Sequence, residues 1–339
     1  MHEETRVPNL PPAPVNVPTG LPVLRARVTL RLLEDATLPV HKAAMLRGGF
    51  GYAFQRATCP QRCWGQSDQC DTDTICPYRQ VFETPRPPDS AHLHNLRDVP
   101  RPFVIEPPMD GKTRYAGGDS LELTLVLIGQ GIDDLPYFLF GLEHLGRMGL
   151  GKQHARARLE RVEALHPWQP LGHVIYQDGA VLTSAEPLPA LTAEMVTARA
   201  RTLPADLRLV LRTPLRVKAR GDFLQHIDPA ALVQAICWRL QALAAFHGSR
   251  PWEADYRPLV TQAGAMVVAE EQVGWADWTR TSTRGGAARK MTLGGLLGSA
   301  VLRNVPPDLR AVLLMGSLVH VGKACVFGHG GYTVEPHAE

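Results

Sequence analysis

The sequence predicts an α+β protein whose two similar halves follow one another along the chain. Three observations support this prediction. A chain of 339 residues is too long for one small core and suits two domains. Each half opens with a strand-like alternating segment: apolar and polar residues alternate strictly at 24–32, and Leu207, Leu209 and Leu211 alternate with Arg208, Val210 and Arg212 at 207–212. Each half also closes with an apolar helical segment, a glycine-rich loop that carries a lysine, and a further strand.

The first half contains strands and helices in a recognisable order. Leucine, alanine and valine alternate with Arg25, Arg27 and Arg31, which predicts a half-buried strand with arginines on its open face. The segments that follow are assigned in chain order as a helix at 42–56, strands at 78–82, 103–106 and 121–128, a helix at 135–145 and a strand at 155–162.

The second half repeats this order. Its strongest element is a helix at 228–247, with Asp228 as N-cap, Pro229 at the first helical position and Gly248 at the stop. The other segments are assigned as strands at 207–212, 265–269 and 291–302, a helix at 308–318 and a last strand at 325–334.

This shared order of strand, helix, two strands, helix and strand predicts two tandem ferredoxin-like (RRM-like, βαββαβ) domains. The predicted limits are residues 20–163 for the first domain, with a cysteine-rich insertion at 58–77, residues 164–203 for a connector, and residues 204–335 for the second domain.

Composition excludes some classes of protein. No run of about eighteen apolar residues is present, which argues against a membrane span. Residues 1–19 are polar and proline-rich and do not resemble a secretory signal, so we expect a cytoplasmic protein. The net charge is only +3, but arginines cluster locally, which is compatible with RNA binding on selected surfaces.

Four cysteines lie close together with the spacing C-x3-C-x6-C-x5-C: Cys59, Cys63, Cys70 and Cys76. Four thiolates suit a tetrahedral zinc ion, and such a closed site is structural because no coordination position remains for water. We therefore predict a structural zinc site. Four cysteines without a metal and an iron–sulfur cluster are the alternatives.

The two glycine-rich loops lie at residues 146–152, with Lys152, and at residues 316–330, with Lys323. Glycines allow the backbone to approach a ligand closely and to present N–H groups to phosphate, and a lysine adds a positive charge. Both loops follow a helix and precede a strand, which is the reverse of a nucleotide-binding P-loop, so ATP binding is excluded. Tight helix-to-strand turns are the alternative interpretation of both loops.

The ordered motifs of this chain resemble those of the CRISPR-associated endoribonucleases that cut precursor CRISPR RNA, within the repeat-associated mysterious protein (RAMP) superfamily. The motifs are Leu46-Arg47-Gly48 followed by the cysteine segment, Trp275-Ala-Asp-Trp-Thr-Arg280-Thr-Ser-Thr-Arg284, Met291-Thr-Leu-Gly-Gly-Leu-Leu-Gly298, and His320-Val-Gly322-Lys323 with Phe327-Gly328-His-Gly330. The resemblance implies metal-independent cleavage of repeat RNA that leaves a 5′-hydroxyl and a 2′,3′-cyclic phosphate. It also implies CRISPR repeat RNA, and other CRISPR effector subunits, as partners.

Cleavage of this kind needs a base for the ribose 2′-hydroxyl, an acid for the leaving 5′ oxygen and a cation for the charged phosphorane. Histidine suits the first two roles and lysine the third. We predict His320, His41 and Lys323 as catalytic residues, with the scissile phosphate at the second glycine-rich loop. The predicted RNA-binding residues are Lys42, Arg47, Lys152, Arg156, Arg280, Arg284, Lys290, Gly322, Gly328 and Gly330.

Two other functions remain open from the sequence. A catalytically silent RAMP-type subunit would keep the basic surfaces and bind the guide RNA without cutting it. A zinc-bearing scaffold protein would show no basic cleft and no salt-sensitive RNA binding.

Overall fold

The computed structural model describes residues 17–59, 70, 76–85, 99–170, 172–182, 187–277, 279–282 and 289–337. The elements of the first half are β1 Val23–Leu32, β2 Ala36–Thr37, α1 Ala43–Thr58, α2 Pro77–Phe82, β3 Phe103–Glu106, β4 Arg114–Tyr115, β5 Ser120–Ile128, α3 Leu135–Met148, β6 Ala157–Leu165, β7 Gly172–Gln177, β8 Ala180–Val181 and α4 Ala193–Arg201.

The first half is built on one antiparallel sheet. Its strand order is β3-β5-β1-β6-β7-β8, with β1 paired to both β5 and β6. The alternation in β1 has the predicted effect. Leu24, Ala26 and Val28 are buried under α1 and α3, whereas Arg25 lies on the open face, where it reaches Glu106 of β3. The first four long strands with α1 and α3 follow the predicted βαββαβ order.

The second half contains β9 Leu207–Leu215, β10 Lys218–Ala219, β11 Asp222–Phe223, α5 Pro229–His247, α6 Arg257–Gly264, β12 Val267–Ala276, β13 Thr279–Ser282, β14 Arg289–Thr292, β15 Gly295–Arg303, α7 Pro307–Val319 and β16 Tyr332–Pro336. Its antiparallel sheet has the order β12-β15-β9-β16, and it also follows the predicted order of strands and helices. The predicted α+β class with two halves of helices and antiparallel sheets is confirmed.

Helix α5 begins and ends where the sequence indicates. The Asp228 side chain accepts a hydrogen bond from the Ala231 N–H at 3.0 Å, and Pro229 occupies the first helical position. By length and composition alone this helix could cross a membrane, but 56% of its apolar window is buried inside the protein. Its buried residues, among them Leu232, Ile236 and Leu240, belong to the core of the second half.

Two strand predictions were wrong. Residues 78–82 form helix α2, because Pro77 begins a helix and Tyr78, Val81 and Phe82 then share one buried helical face. The last strand starts only at Tyr332, because the glycines before it adopt positive φ angles and fold residues 325–331 into a compact loop.

The two halves share a continuous apolar interface. Val23, Val104 and Ile128, on the open face of the first sheet, belong to the same buried cluster as the core of the second half. The predicted connector is divided between the halves, since β7 and β8 extend the first sheet while α4 packs on α7. The domain limits themselves stay a prediction.

Candidate functional site

The second glycine-rich loop begins at residue 320, after the end of α7. Its residues 320–331 lie between the two halves. Its short 3-10 helix, Cys325–Phe327, packs on β3 and α1 of the first half. Gly328 has φ +79°, and a Cβ there would come within 2.7 Å of the Ile105 carbonyl oxygen. At Gly330, with φ +72°, a Cβ would lie 1.8 Å from the Val321 carbonyl oxygen. These two glycines are therefore explained by close packing.

The backbone N–H groups of this loop are also used internally. Lys323 donates to the Arg216 carbonyl at 2.9 Å, Gly328 to Cys325 at 2.7 Å and Gly330 to Pro214 at 3.0 Å. The backbone of Gly322, with φ +92°, approaches the Arg216 carbonyl oxygen so closely that a Cβ would clash with it. This geometry does not favour the predicted phosphate contacts of Gly322, Gly328 and Gly330. The Lys323 side chain is exposed and keeps access to an anion.

His320, the first predicted catalytic residue, is buried with only 1% of its surface exposed. Its Nδ1 lies 2.9 Å from the His329 carbonyl oxygen and its Nε2 lies 2.7 Å from Glu106 Oε1. The pKa of Glu106 falls to about 2; burial raises it, but the Arg25 charge and the bond from His320 outweigh that effect. A carbonyl and an ionised carboxylate only accept, so both ring nitrogens of His320 are engaged by acceptors inside the protein.

Neither ring nitrogen of His320 is therefore available to exchange a proton with RNA. The backbone supports a positional role, since His320 has φ 61° and ψ 159°, a region that almost only glycine adopts. Such a conformation persists only where side-chain contacts hold it. The geometry makes His320 part of an ion-pair cluster with Glu106 and Arg25 that joins the halves.

His41 has the opposite environment. It is exposed and directly precedes α1, whose N-terminus has no side-chain cap and no acidic residue in its first turn. Free N–H groups and the positive end of the helix dipole make such a terminus suitable for a phosphate. Partial burial and, second, the charge of Lys42 lower the pKa of His41. His41 is therefore a neutral imidazole near pH 7, able to accept a proton.

The first glycine-rich loop packs on the chain segment that carries His41. A Cβ on Gly151 would be 3.0 Å from Leu38 Cδ2 and 3.9 Å from Met45 Sδ, and these two residues flank His41 in the chain. The Gln153 side chain accepts a hydrogen bond from the Thr37 N–H at 3.1 Å. Lys152 on this loop is exposed. Arg156 is also exposed, with its Nε 3.5 Å from Glu34.

Two predicted RNA contacts lie inside the protein. Lys42 has no exposed surface, and its Nζ lies 3.1 Å from Asp110 Oδ1, so it does not reach RNA in this conformation. Arg47 is half-buried, and its guanidinium lies 4.7 Å from the Phe82 ring centroid and 6.0 Å from that of Phe327. Arg47 thus contacts the second glycine-rich loop from α1. Sequence spacing alone could not separate these buried cations from exposed ones.

A cleft of about 510 Å³ opens between the halves on the side of the open sheet faces. It is lined by Arg25, Arg199, Arg212 and His320 and by two carboxylates, Glu106 and Glu335. Trp168 adds an aromatic wall. The sequence analysis did not select Arg199 or Arg212, although alternation in β9 already indicated that Arg212 faces away from the core.

Arg280 and Lys290 lie on the two strands of a β-ribbon, β13 and β14. Strands β13 and β14 pair with each other, with Arg280 opposite Met291 and Lys290 opposite Thr281. The ribbon follows β12 and precedes β15. Arg284 lies outside the described residues.

The cysteine prediction is only partly covered by the structure. Cys59 ends α1 and is buried, and Cys76 precedes α2. Burial raises the pKa of the Cys76 thiol, and contact with Cys59 contributes to the shift. Cys63 lies outside the described residues. Among the residues that the structure describes, no group of three or more His, Cys, Asp or Glu side chains could hold a metal ion.

Two sequence models match this chain. Residues 209–332 match a family described as CRISPR-associated endoribonuclease Cas6. Residues 21–188 match a model described as an N-terminal domain, AF_1859_N. An uncharacterised protein of Archaeoglobus fulgidus is 30% identical over 113 residues, which cover 33% of this chain and 37% of that relative. The chain thus spans little more than a third of the length of this relative.

Solved structures show the same fold at low identity. The partial Cas6-RT-Cas1–Cas2 complex matches with a TM-score of 0.56 and 16% identity, over 96% of this chain and 48% of that one. The Cas6 (TTHB231) product complex matches with a TM-score of 0.54 and 18% identity, over 92% and 99%. The Thermus thermophilus Cas6 (TTHB231) matches with a TM-score of 0.52 and 15% identity, over 93% and 98%.

The second half of the chain matches the Cas6 family of CRISPR-associated endoribonucleases in sequence, and the chain as a whole shares its fold of two halves with the Cas6 structures.

Proposed function

We propose that this protein is an endoribonuclease that binds CRISPR repeat RNA and cleaves precursor CRISPR RNA without a catalytic metal. The observation that carries the proposal is His41, an exposed histidine of lowered pKa at the uncapped N-terminus of α1. Family homology supports the substrate. The proposed compartment is the cytoplasm, and the proposed protein partners are other CRISPR effector subunits. The matched structure that contains RT, Cas1 and Cas2 supports partners of this kind.

The proposed reaction begins when neutral His41 takes the proton of the ribose 2′-hydroxyl. The 2′ oxygen attacks phosphorus, the bond from phosphorus to the 5′ oxygen breaks, and that oxygen takes a proton from solvent. The products are a 2′,3′-cyclic phosphate and a 5′-hydroxyl. The helix N-terminus and Lys152 would stabilise the phosphorane charge. In this proposal the scissile phosphate lies at the first glycine-rich loop, whereas the sequence analysis favoured the second. Lys323 then becomes an RNA contact away from the cut.

We further propose that the RNA on one side of the cut follows the interdomain cleft. Arg199 and Arg212 line this cleft, and Glu106, one of its two carboxylates, is already bound by Arg25 and His320, which suits a polyanion. Trp168 offers a surface on which an unpaired base could stack. Arg280, Arg284 and Lys290 stay proposed RNA contacts, since residues 279–306 contain no acidic residue.

One assay tests the proposed activity. Purified protein incubated with its cognate repeat RNA in EDTA is expected to release a fragment ending in a 2′,3′-cyclic phosphate. The cyclic end is detected by its resistance to phosphatase until mild acid opens the ring.

Tight, salt-sensitive binding without cleavage would favour the second candidate, a catalytically silent RAMP-type subunit. The burial of His320, which leaves one of the two predicted histidines accessible, is the observation that favours this alternative. Absence of both binding and cleavage would contradict both functions.

We also propose a structural zinc ion bound by Cys59, Cys63, Cys70 and Cys76. The contact between the Cys59 and Cys76 thiols supports it, because zinc would replace the proton that burial favours on Cys76. Fresh, reduced protein is expected to contain about one zinc per chain, and Cys59→Ser or Cys76→Ser to lose most of it. Cys237→Ala, which alters a core cysteine outside the cluster, is the control. Metal-free wild-type protein would contradict the site.

A further inference from the structure

We propose that Lys42 is a positioning residue for His41, held in place by Asp110 and Tyr115. The inference rests on the proposed function, which makes His41 the base. Lys42 is the next residue in the chain and occupies the N-cap position of α1. Contacts that hold Lys42 in place therefore also hold the start of α1 and the backbone of His41 in place.

The contacts of Lys42 are unusual for a lysine. Its side chain is completely buried, although lysine is almost never fully buried unless it is paired. Its Nζ lies 3.1 Å from Asp110 Oδ1 and 5.7 Å from the Tyr115 ring centroid. The carboxylate offsets the cost of removing the ammonium from water, and the ring adds a cation–π contact. Lys42 is thus anchored to the segment between β3 and β5.

This segment is itself well ordered by ion pairs. Lys112 also lies over the Tyr115 ring, at 4.5 Å, and its Nζ is 2.8 Å from Asp119. Burial and, next, the charges of Asp110 and Asp119 raise the pKa of Tyr115 to about 12. Tyr115 therefore stays a neutral phenol over the range in which histidine titrates, and the lowered pKa of Asp110 keeps that carboxylate ionised there.

A fixed positive charge beside His41 disfavours its imidazolium form and keeps the ring able to accept a proton. The charged and titratable groups on the segments packed here are Lys42, Asp110, Lys112, Arg114, Tyr115 and Asp119, with Lys152 and His154 on the first glycine-rich loop, which packs on Leu38 and Met45. Of these, Lys42 is both adjacent to His41 and immobilised. It therefore has two effects, on the position of His41 and on its proton affinity.

The test uses two substitutions with opposite electrostatic signs. Lys42→Met keeps an unbranched side chain and removes the charge, and Asp110, which is 46% exposed, is then solvated by water. The pKa of His41 is expected to rise, and the acidic limb of the pH–rate profile to move to higher pH. On that limb the cleavage rate falls tenfold for each unit of movement. Asp110→Asn leaves the lysine charge without its counterion, so the pKa of His41 is expected to fall.

Lys112→Met is the matched control, because Lys112 contacts the same ring but is 45% exposed and pairs with Asp119. Lys112→Met is expected to leave the acidic limb of the pH–rate profile unchanged. The His41 ring is also titrated by proton NMR in the full chain, assigned by its loss in His41→Ala. No rise in Lys42→Met, or shifts of the same sign in Lys42→Met and Asp110→Asn, would overturn the inference. Absent cleavage with the expected NMR shifts would instead count against the proposed function alone.

Discussion

His41→Ala is expected to lower the rate of repeat-RNA cleavage by roughly 10²–10⁴-fold while RNA affinity stays within a few-fold of wild type. The imidazole supplies the proposed base, whereas the proposed path of the RNA follows the cleft between the halves, which Arg199 and Arg212 line. Single-turnover cleavage at saturating protein measures the chemical step, and a filter-binding titration at fixed salt measures affinity. The two numbers together separate a catalytic role from a binding role.

His226→Ala is the matched control, because His226 is 81% exposed and contacts Glu271 in the second half. It is expected to cleave at the wild-type rate. If His41→Ala cleaves as fast as His226→Ala, His41 is not the base. If instead cleavage and affinity fall by the same factor, His41 contributes to binding rather than to the chemical step.

The fold was largely predictable from the sequence, because period-two alternation in β1 and β9 and the capping residues of α5 are local signals. The errors have local causes as well. At α2, aromatic and branched residues suggested a strand, but Pro77 and the spacing of the buried positions specify a helical turn. Before β16, glycines that must adopt positive φ angles prevent the strand from starting earlier.

The site was less predictable, because its chemistry depends on contacts between segments far apart in sequence. Glu106 and His320 are 214 residues apart, and nothing in either segment indicates that a carboxylate engages the histidine. The sequence predicted Lys42 and Arg47 as exposed cations. In the structure Lys42 is buried and pairs with Asp110, and Arg47 lies over aromatic rings. The packing of the first glycine-rich loop on the segment that carries His41 also depends on tertiary structure alone.

Glu106→Gln is expected to reduce the free energy of unfolding by about 3 kcal/mol, which would be the largest stability effect among single changes at the interface. The carboxylate lies between Arg25 Nη1, at 2.8 Å, and His320 Nε2, at 2.7 Å. An amide removes the carboxylate that contacts both Arg25 and His320. Urea unfolding measures the loss. Glu122→Gln is the control, since Glu122 is 59% exposed and lies 3.9 Å from Arg27, and its effect should stay within about 0.5 kcal/mol.

The same ion pair predicts a pH dependence. The pKa of Glu106 is about 2 in the folded protein against an ordinary value of 4.5. Its contribution to stability is therefore complete above about pH 4.5 and is lost as the pH falls toward 2. Glu106→Gln should remove this part of the acid sensitivity, so the stability difference between wild type and variant should narrow across that window.

His320→Ala discriminates between the structural and the catalytic role of the second histidine. If His320 joins the halves, the variant loses stability, and pairing it with Glu106→Gln costs less than the sum of the single changes, because both remove one interaction. Cleavage measured well below its melting temperature should then stay within a few-fold of wild type. A variant that melts like wild type but no longer cuts RNA would restore His320 to the catalytic site and require its ring to leave Glu106 when RNA binds.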